Sequence, residues 1–280
     1  MSPETSAVRD ALQAAVDAIA AAGCESARLD AEVLLAHATG WDRARIAAEP
    51  DMRLPVGASR EFAEMVRRRV RREPVAYIIG RKGFRRIEVL VDHRVLIPRP
   101  ETELLVELAV EIQATSAIDV GTGSGAIALA IADELPATRV SAIDTSMDAL
   151  RVAQVNTERL GLGDRVDVGN RGIASLDSTG PCDLLVANLP YVSAAEWEGL
   201  APEIREYEPR EALVAGPTGL EAIDGLLASV ARLRIRPVAV ALEIGAEHGP
   251  AVSELVRRAG YAEVETRRDL AGHDRVIIGR

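Results

Sequence analysis

Ala117-Ile118-Asp119-Val120-Gly121-Thr122-Gly123-Ser124-Gly125-Ala126-Ile127 is the stretch that decides the reading of this chain. A short apolar run enters three glycines at alternate positions, and an alanine-rich helical pattern leaves them. Glycine at this spacing lets backbone approach a ligand and supplies torsions that bulkier residues resist. Asp144 ends the next apolar run, Val140-Ser141-Ala142-Ile143. It follows the loop by about 20 residues, where an acidic side chain can hold both hydroxyls of a ribose. Loop and acid together predict a Rossmann-like α/β domain that binds a nucleoside or nucleotide.

Outward from this stretch, strand and helix patterns alternate from about Leu96 to the end. Helices are expected at 102–113, 125–134, 146–160, 218–233 and 249–259, and strands at 117–120, 139–143, 165–168, 183–187, 237–243, 261–266 and 274–279. Such alternation predicts a mostly parallel sheet with helices on both faces and a ligand beyond the carboxyl ends of the strands. Residues 5–72 read as helical. Val8, Leu12, Ala15, Val16 and Ile19 follow helical spacing up to Gly23; Leu29, Val33, Leu34 and Ala38 do so up to Gly40; Phe62, Met65, Val66 and Val70 do so before Pro74. Two short β-patterns, Val75–Ile79 and Ile87–Val91, are expected to pair as a hairpin. The domains expected are a helical substrate-recognition domain over 1–73, a β-hairpin linker over 74–95 and the α/β domain over 96–280.

Aromatic residues make up 3% of the 280-residue chain, so aliphatic side chains must carry the core. No window approaches the ~20 apolar residues of a membrane span, and the first residues are too polar for a secretory signal. Cys24 and Cys182 are too few and too scattered for a disulfide framework or a metal cluster, and a cytoplasmic setting is expected. His37, His93 and His273 lack metal-ligand spacing, so no metal is expected. A net charge of −10 argues against broad binding of nucleic acid. The charge is uneven: residues 1–95 hold 16 Lys/Arg against 14 Asp/Glu, and 96–280 hold 17 against 29. The cluster Arg67-Arg68-Arg69, Arg71-Arg72, with Arg81, Lys82, Arg85 and Arg86, reads either as a solvated face or as a dock for an acidic partner or RNA.

Asn188-Leu189-Pro190-Tyr191 follows the apolar run 183–187. These residue types suit alkylation of a planar nitrogen. The lone pair of an amide nitrogen is delocalised into its carbonyl and attacks a methyl sulfonium poorly. Hydrogen bonds accepted from its NH2 group, by the Asn188 side-chain oxygen and a backbone carbonyl, raise electron density on nitrogen and aim it in line. Tyr191 can stack on a flat amide or base, and Pro190 holds the loop's carbonyls in direction. No titrating base is needed, because the product can lose its proton after transfer.

The glycine loop with Asp144 resembles the S-adenosylmethionine site of Rossmann-like methyltransferases, and Asn188–Tyr191 resembles the Asn/Asp-Pro-Pro-Tyr motif of enzymes that methylate amide or exocyclic amino nitrogens. Three further stretches narrow the likeness: Ile97-Pro98-Arg99-Pro100-Glu101-Thr102-Glu103; Tyr207-Glu208-Pro209-Arg210 with Gly216 and Gly219-Leu220; and Asp269-Leu270-Ala271-Gly272-His273-Asp274-Arg275-Val276. With the helical amino-terminal part, they make nearly the whole chain similar to the protein-(glutamine-N5) methyltransferases of the HemK/PrmC type, which act on peptide chain release factors.

The resemblance implies S-adenosylmethionine as cofactor, held by Gly121, Thr122, Gly123, Ser124, Gly125, Asp144, Asn170, Arg171 and Asn188. It implies catalysis by Asn188, Pro190 and Tyr191, with Leu189 beside them in contact with substrate. The partner implied is a release factor, methylated on the glutamine of a Gly-Gly-Gln loop, with no role for membrane and none for nucleic acid as substrate.

The chain departs from the family pattern at four places. Leu189 replaces a proline, Asn170 an aspartate, Arg171 a bulky apolar residue and His248 a glutamine. Asn-Leu-Pro-Tyr also occurs in methyltransferases of adenine N6 in ribosomal RNA, so an adenine-N6 enzyme acting on RNA or DNA is one alternative. A non-catalytic cofactor-binding module is another. Glu101 and Glu103 either favour a helix dipole or lie near the site, and Arg99 has the same two readings.

Overall fold

Val8, Leu12, Ala15 and Ile19 share one face of α1 (Val8–Ala21), and all four are buried. The computed structural model describes residues 6–171 and 182–280, so residue 5 of the expected helical stretch lies outside it. The described chain divides into two units: residues through Gly80 together with Ala201–Tyr207, and Arg81–Leu200 together with Glu208–Arg280. In the first unit α1 is followed by α2 (Ala27–Thr39), α3 (Arg43–Ala48), α4 (Val56–Val70) and α5 (Val75–Ile79). Ile19, Leu34, Leu35, Ile46, Leu54 and Phe62 meet in one aliphatic core. The short α3 has no long periodic run to announce it; its start is fixed by Asp42, whose carboxylate accepts from the Arg45 N–H at 2.6 Å.

Val75–Ile79 is a helical turn, where the β-pattern led us to expect a strand. Five apolar residues cannot tell the two periods apart. The flanks decide it: the Pro74 carbonyl accepts from the Tyr77 and Ile78 N–H groups at 3.0 Å, and Gly80 closes the turn at φ 74°. The hairpin instead pairs β1 (Arg81–Phe84) with β2 (Ile87–Leu90).

The second unit continues through a single 3-10 turn (Pro100–Thr102) to α6 (Glu103–Glu111), β3 (Ser116–Val120), α7 (Ala126–Glu134), β4 (Arg139–Asp144), α8 (Met147–Arg159), β5 (Val166–Asn170), β6 (Leu184–Ala187) and β7 (Val192–Ser193). The chain then gives α9 (Pro202–Tyr207) to the first unit and returns with β8 (Val214–Gly216), α10 (Glu221–Val230), β9 (Ala239–Glu243), α11 (Gly249–Arg258), β10 (Val264–Arg268) and β11 (Asp274–Gly279). The hairpin belongs to this unit. Arg85 pairs with Glu134 at 2.7 Å and Glu107 at 2.9 Å, and the Asn156 amide of α8 bonds both the N–H (2.7 Å) and the carbonyl (3.0 Å) of Leu90.

The main sheet has the order β10-β11-β9-β6-β3-β4-β5. It is parallel except for β11, which runs against both its neighbours. β6 and β9 are buried along their whole length, as central parallel strands covered on both faces must be. The chain starts this sheet in the middle at β3, builds to one edge through β4 and β5, and then crosses back to β6. Loops leaving β3 and β6 therefore part to opposite faces and leave a crevice between them. The register sets Val120 opposite both Ile143 and Ala187, so the three strands end level.

The arginine cluster in α4 is largely paired within the first unit. Arg69, 5% exposed, donates to Asp30 at 2.7 Å and to Glu203 of α9 at 3.0 Å; Arg72 meets Glu203 at 2.6 Å, and Arg68 meets Glu73 at 2.5 Å. The strong dock that five neighbouring arginines suggest is thus mostly spent on internal carboxylates. Removing a buried cation from such a group strands its partners. Arg69→Met is expected to lower the unfolding free energy by about 3–5 kcal/mol in a denaturant titration. Arg67→Ala, which breaks only an exposed pair with Glu64, should cost less than about 1 kcal/mol. Equal effects of the two substitutions would refute the buried network's role.

Candidate active site

Where β3 ends, the chain must turn beneath Leu189. Gly121 takes φ 74°, and a Cβ there would stand 3.0 Å from Leu189 Cδ2, so torsion and space both require glycine. The Gly121 and Thr122 N–H groups donate to the Ile143 carbonyl at 2.9 and 3.1 Å, which hooks the loop over the end of β4. Gly123 donates its N–H to Asp144 Oδ2 at 3.0 Å, while Asp144 Oδ1 accepts from the Ser146 N–H at 2.9 Å. Ser146, not Asp144, caps α8, accepting from the Ala149 N–H at 3.2 Å. Asp144 thus braces the loop and keeps lone pairs on both oxygens for a ligand.

Gly121, Thr122, Gly123, Ser124, Asp144, Asn188, Leu189 and Pro190 all line one cavity of about 290 Å³, along with Leu96, Pro98, Thr102 and Ala212. A nucleoside cofactor suits these residues: Asp144 offers acceptors, Gly123 leaves open space where a side chain would stand, and Leu96, Ile127 and Leu189 supply an apolar wall. Leu189, 7% exposed, packs on the glycine loop, so the residue that replaces proline is held by burial.

Gly125, Asn170, Arg171 and Tyr191 are not among the cavity's lining residues. Gly125 turns the loop into α7 at φ 83°. The Asn170 amide nitrogen donates to the carbonyls of Asp144 (3.2 Å) and Thr145 (3.1 Å), which an aspartate could not do. Arg171 points its guanidinium at Asp167, 2.7 Å away. The Tyr191 hydroxyl faces the Glu243 carboxylate at 3.5 Å, and burial pushes its pKa up to about 12.

Four buried polar residues organise the site without having been singled out from the sequence. Asp119, fully buried in β3, accepts from the Thr122 hydroxyl (2.6 Å) and the Ala128 N–H (3.2 Å), tying loop to helix. Glu208 accepts from the Ile97 N–H at 3.1 Å and from Arg99, joining two of the family-like stretches across the cavity wall. Thr102 accepts from Asn188 Nδ2 at 3.2 Å. Glu243 ends β9 at 1% exposure, within hydrogen-bonding reach of the Thr102 hydroxyl. The available signal for Asp119 and Glu243 was a single acid inside an otherwise apolar strand. Glu103 takes the bland role, accepting from the Arg85 N–H at 3.1 Å. Among the described residues no group of His, Cys, Asp or Glu could hold a metal, and no helix is long and apolar enough to cross a membrane.

Two family models match the sequence: PrmC N-terminal domain over residues 10–80, and methyltransferase small domain over residues 100–204. The release factor glutamine methyltransferase of Rhodopirellula baltica is 41% identical over 266 residues, covering 91% of this chain and 90% of its own. That of Moorella thermoacetica is 41% identical over 277 residues, covering 97% of each. Among solved structures, the hMettl16 catalytic domain in complex with a MAT2A 3'UTR hairpin shares the fold. Its TM-score is 0.57 at 16% identity, over 68% of this chain and 74% of that one.

Burial raises the carboxyls of Asp119 and Glu243 to about 7. Between the unfolded value near 4 and the folded value near 7, the native state holds protons that the unfolded chain has released, so these groups reduce stability as pH rises through that window. Asp119→Asn keeps an acceptor for Thr122 and Ala128 and removes the ionisation. Thermal unfolding followed from pH 5 to 8 should show a flatter decline for Asp119→Asn than for the unmodified protein. A decline of the same slope would contradict the buried-acid account.

Proposed function

Because the chain belongs to the release factor glutamine methyltransferase family, we propose that it transfers a methyl group from S-adenosylmethionine to the side-chain amide nitrogen (N5) of the glutamine in the Gly-Gly-Gln loop of a translation release factor. One observation carries the site reading. Asn188 stands at the switch point beside the glycine loop with its Nδ2 tied to Thr102, which leaves Oδ1 as an acceptor for a target NH2 group. In this reading Gly121–Gly125 and Asp144 hold the methionine and ribose parts of the cofactor, with Asn170 and Arg171 at the end of β5 nearest its adenine. Asn188, Leu189, Pro190 and Tyr191 receive the glutamine.

When bound, S-adenosylmethionine supplies an electrophilic methyl on sulfonium, and as the N–C bond forms the S–C electron pair stays on sulfur, leaving a neutral thioether. The protein's part is to place and polarise the nucleophile. Asn188 Oδ1 accepts one N–H of the target amide and so restores lone-pair density to its nitrogen. Pro190 stiffens the loop that carries Asn188. Leu189 excludes water from beside the glycines. The extra amide proton goes to solvent after transfer, and no side chain need titrate.

The adenine-N6 alternative is not favoured, because the chain's family acts on glutamine and the basic cluster that would attract RNA is mostly paired with carboxylates. A cytoplasmic site of action agrees with Cys24 and Cys182, both buried free thiols. Labelled cofactor offered with intact release factor, or with RNA, should label the release factor alone. Asn188→Ala should lower kcat by more than about a hundredfold, the scale of one lost transition-state partner, with cofactor affinity within tenfold. Near-normal turnover would sink the assignment.

The same reading makes residues 1–73 the substrate-recognition domain. It supplies no residue to the cavity, and a Gly-Gly-Gln loop alone offers little area for specific binding. Arg67 and Arg71 are the exposed members of the α4 cluster. Reversing both to Glu should raise KM for intact release factor, most strongly at low salt, with cofactor affinity unchanged. An unchanged KM across salt concentrations would place recognition elsewhere.

A further inference from the structure

Asn188 carries a carboxamide, which presents either its oxygen or its NH2 group to a ligand according to a half-turn about one bond. Only one presentation serves the proposed reaction. With Oδ1 outward, Asn188 accepts from the target NH2; with Nδ2 outward, donor meets donor. Something must select between the two, and the groups behind Asn188 are suited to it. Asn188 Nδ2 lies 3.2 Å from Thr102 Oγ1. The Thr102 hydroxyl lies within hydrogen-bonding reach of the Glu243 carboxyl. Thr102 and Glu243 are 3% and 1% exposed, so solvent does not compete for these partners.

We propose that Glu243, acting through the Thr102 hydroxyl, is a positioning residue that holds the Asn188 amide with Oδ1 toward the substrate. A hydroxyl has one proton. An ionised Glu243 accepts only, so it draws that proton to itself. Thr102 Oγ1 then faces Asn188 with lone pairs alone, and Asn188 must offer its NH2 group inward. The substrate side is left with the oxygen. A protonated Glu243 can instead donate to Thr102, which frees the threonine proton for Asn188 and selects the flipped amide. The preference thus passes along three side chains with no proton leaving the site.

The charges facing Glu243 come from four segments. Glu101 precedes Thr102 in the 3-10 turn and raises the Glu243 pKa, Arg99 before that turn and Arg275 of β11 lower it, and burial, the dominant cause, sets it at about 7. Tyr191, after β6, faces the same carboxylate at 3.5 Å. Glu243 Oε2 has no hydrogen-bond partner among the described residues, so Thr102 and Tyr191 carry the polar contacts of this acid.

The inference rests on Asn188 being the acceptor for the glutamine amide, and the test separates the two. Full-length Thr102→Val, Thr102→Ser, Glu243→Gln and Asn188→Ala would be assayed on intact release factor with labelled S-adenosylmethionine, and cofactor affinity would be measured by titration. Thr102→Val, close in shape but without the hydroxyl, should lower kcat about 10–100-fold, the scale of an outer partner that orients a reacting group, with cofactor affinity unchanged. Thr102→Ser should recover most of the loss. In the unmodified protein kcat should fall as pH drops below about 7. Glu243→Gln, able either to donate or to accept, should lower kcat and flatten that limb, although Asp119 is still present to titrate. Asn188→Ala inactive while Thr102→Val keeps full kcat, or while Glu243→Gln keeps the pH limb, would overturn the relay and leave the site reading intact. An active Asn188→Ala would overturn both.

Discussion

The site depends first on three parallel strands ending level. β3 lies between β4 and β6, and the register that sets Val120 against Ile143 and Ala187 brings three chain segments to one edge: the glycine loop, Asp144 and Asn188. They lie far apart in sequence, and nothing local could hold them together. What joins them is a ladder of backbone hydrogen bonds inside a strand layer that water does not reach, where an unmade bond is costly. A slip of one residue in β6 would turn its side chains to the opposite face and carry Asn188 away from the loop.

Upon this frame the chain uses buried carboxylates as brackets. Asp119 ties Thr122 to the start of α7, Asp144 ties Gly123 to the start of α8, and Glu208 ties the Ile97 backbone and Arg99 to the opposite wall of the cavity. At the β10–β11 turn Asp269 accepts from the Ala271 and His273 N–H groups and from Arg275, whose guanidinium holds the carboxyl down to about 2. A carboxylate can accept several bonds at once, so a single acid can fix two or three backbone amides of a loop. The cost differs with surroundings. Asp269 is matched by a guanidinium, whereas Asp119 has none and lies where burial favours its neutral form.

Charge in the helical unit follows the same economy. Asp30, Arg69, Glu203 and Arg72 form a continuous internal group that draws α9 to α2 and α4, although α9 comes from a distant part of the chain. Such a group is a weak source of net stability but a demanding one, since each member requires the others. It makes the helical unit discontinuous, so a cut near residue 73 would separate Arg69 and Arg72 from Glu203.

Periodic and punctuating residues were legible from the sequence alone. Helical spacing in Val8–Ile19, apolar runs at β3, β4, β6 and β9, and the glycines at 121, 123 and 125 each act through neighbours in sequence, and each appears in the fold where it was expected. Local pattern misread Val75–Ile79, because a five-residue apolar run takes its conformation from its flanks. It misjudged the arginine cluster as well, since whether a charge is free depends on which carboxylates the fold brings to it. Tertiary structure alone decided the partners: Leu189 against Gly121, Glu208 against Arg99, and Thr102 between Asn188 and Glu243. A residue's type limits which bonds it can make, and burial decides which of them it must make; the first is written along the chain, and the second exists only once distant segments have closed around it.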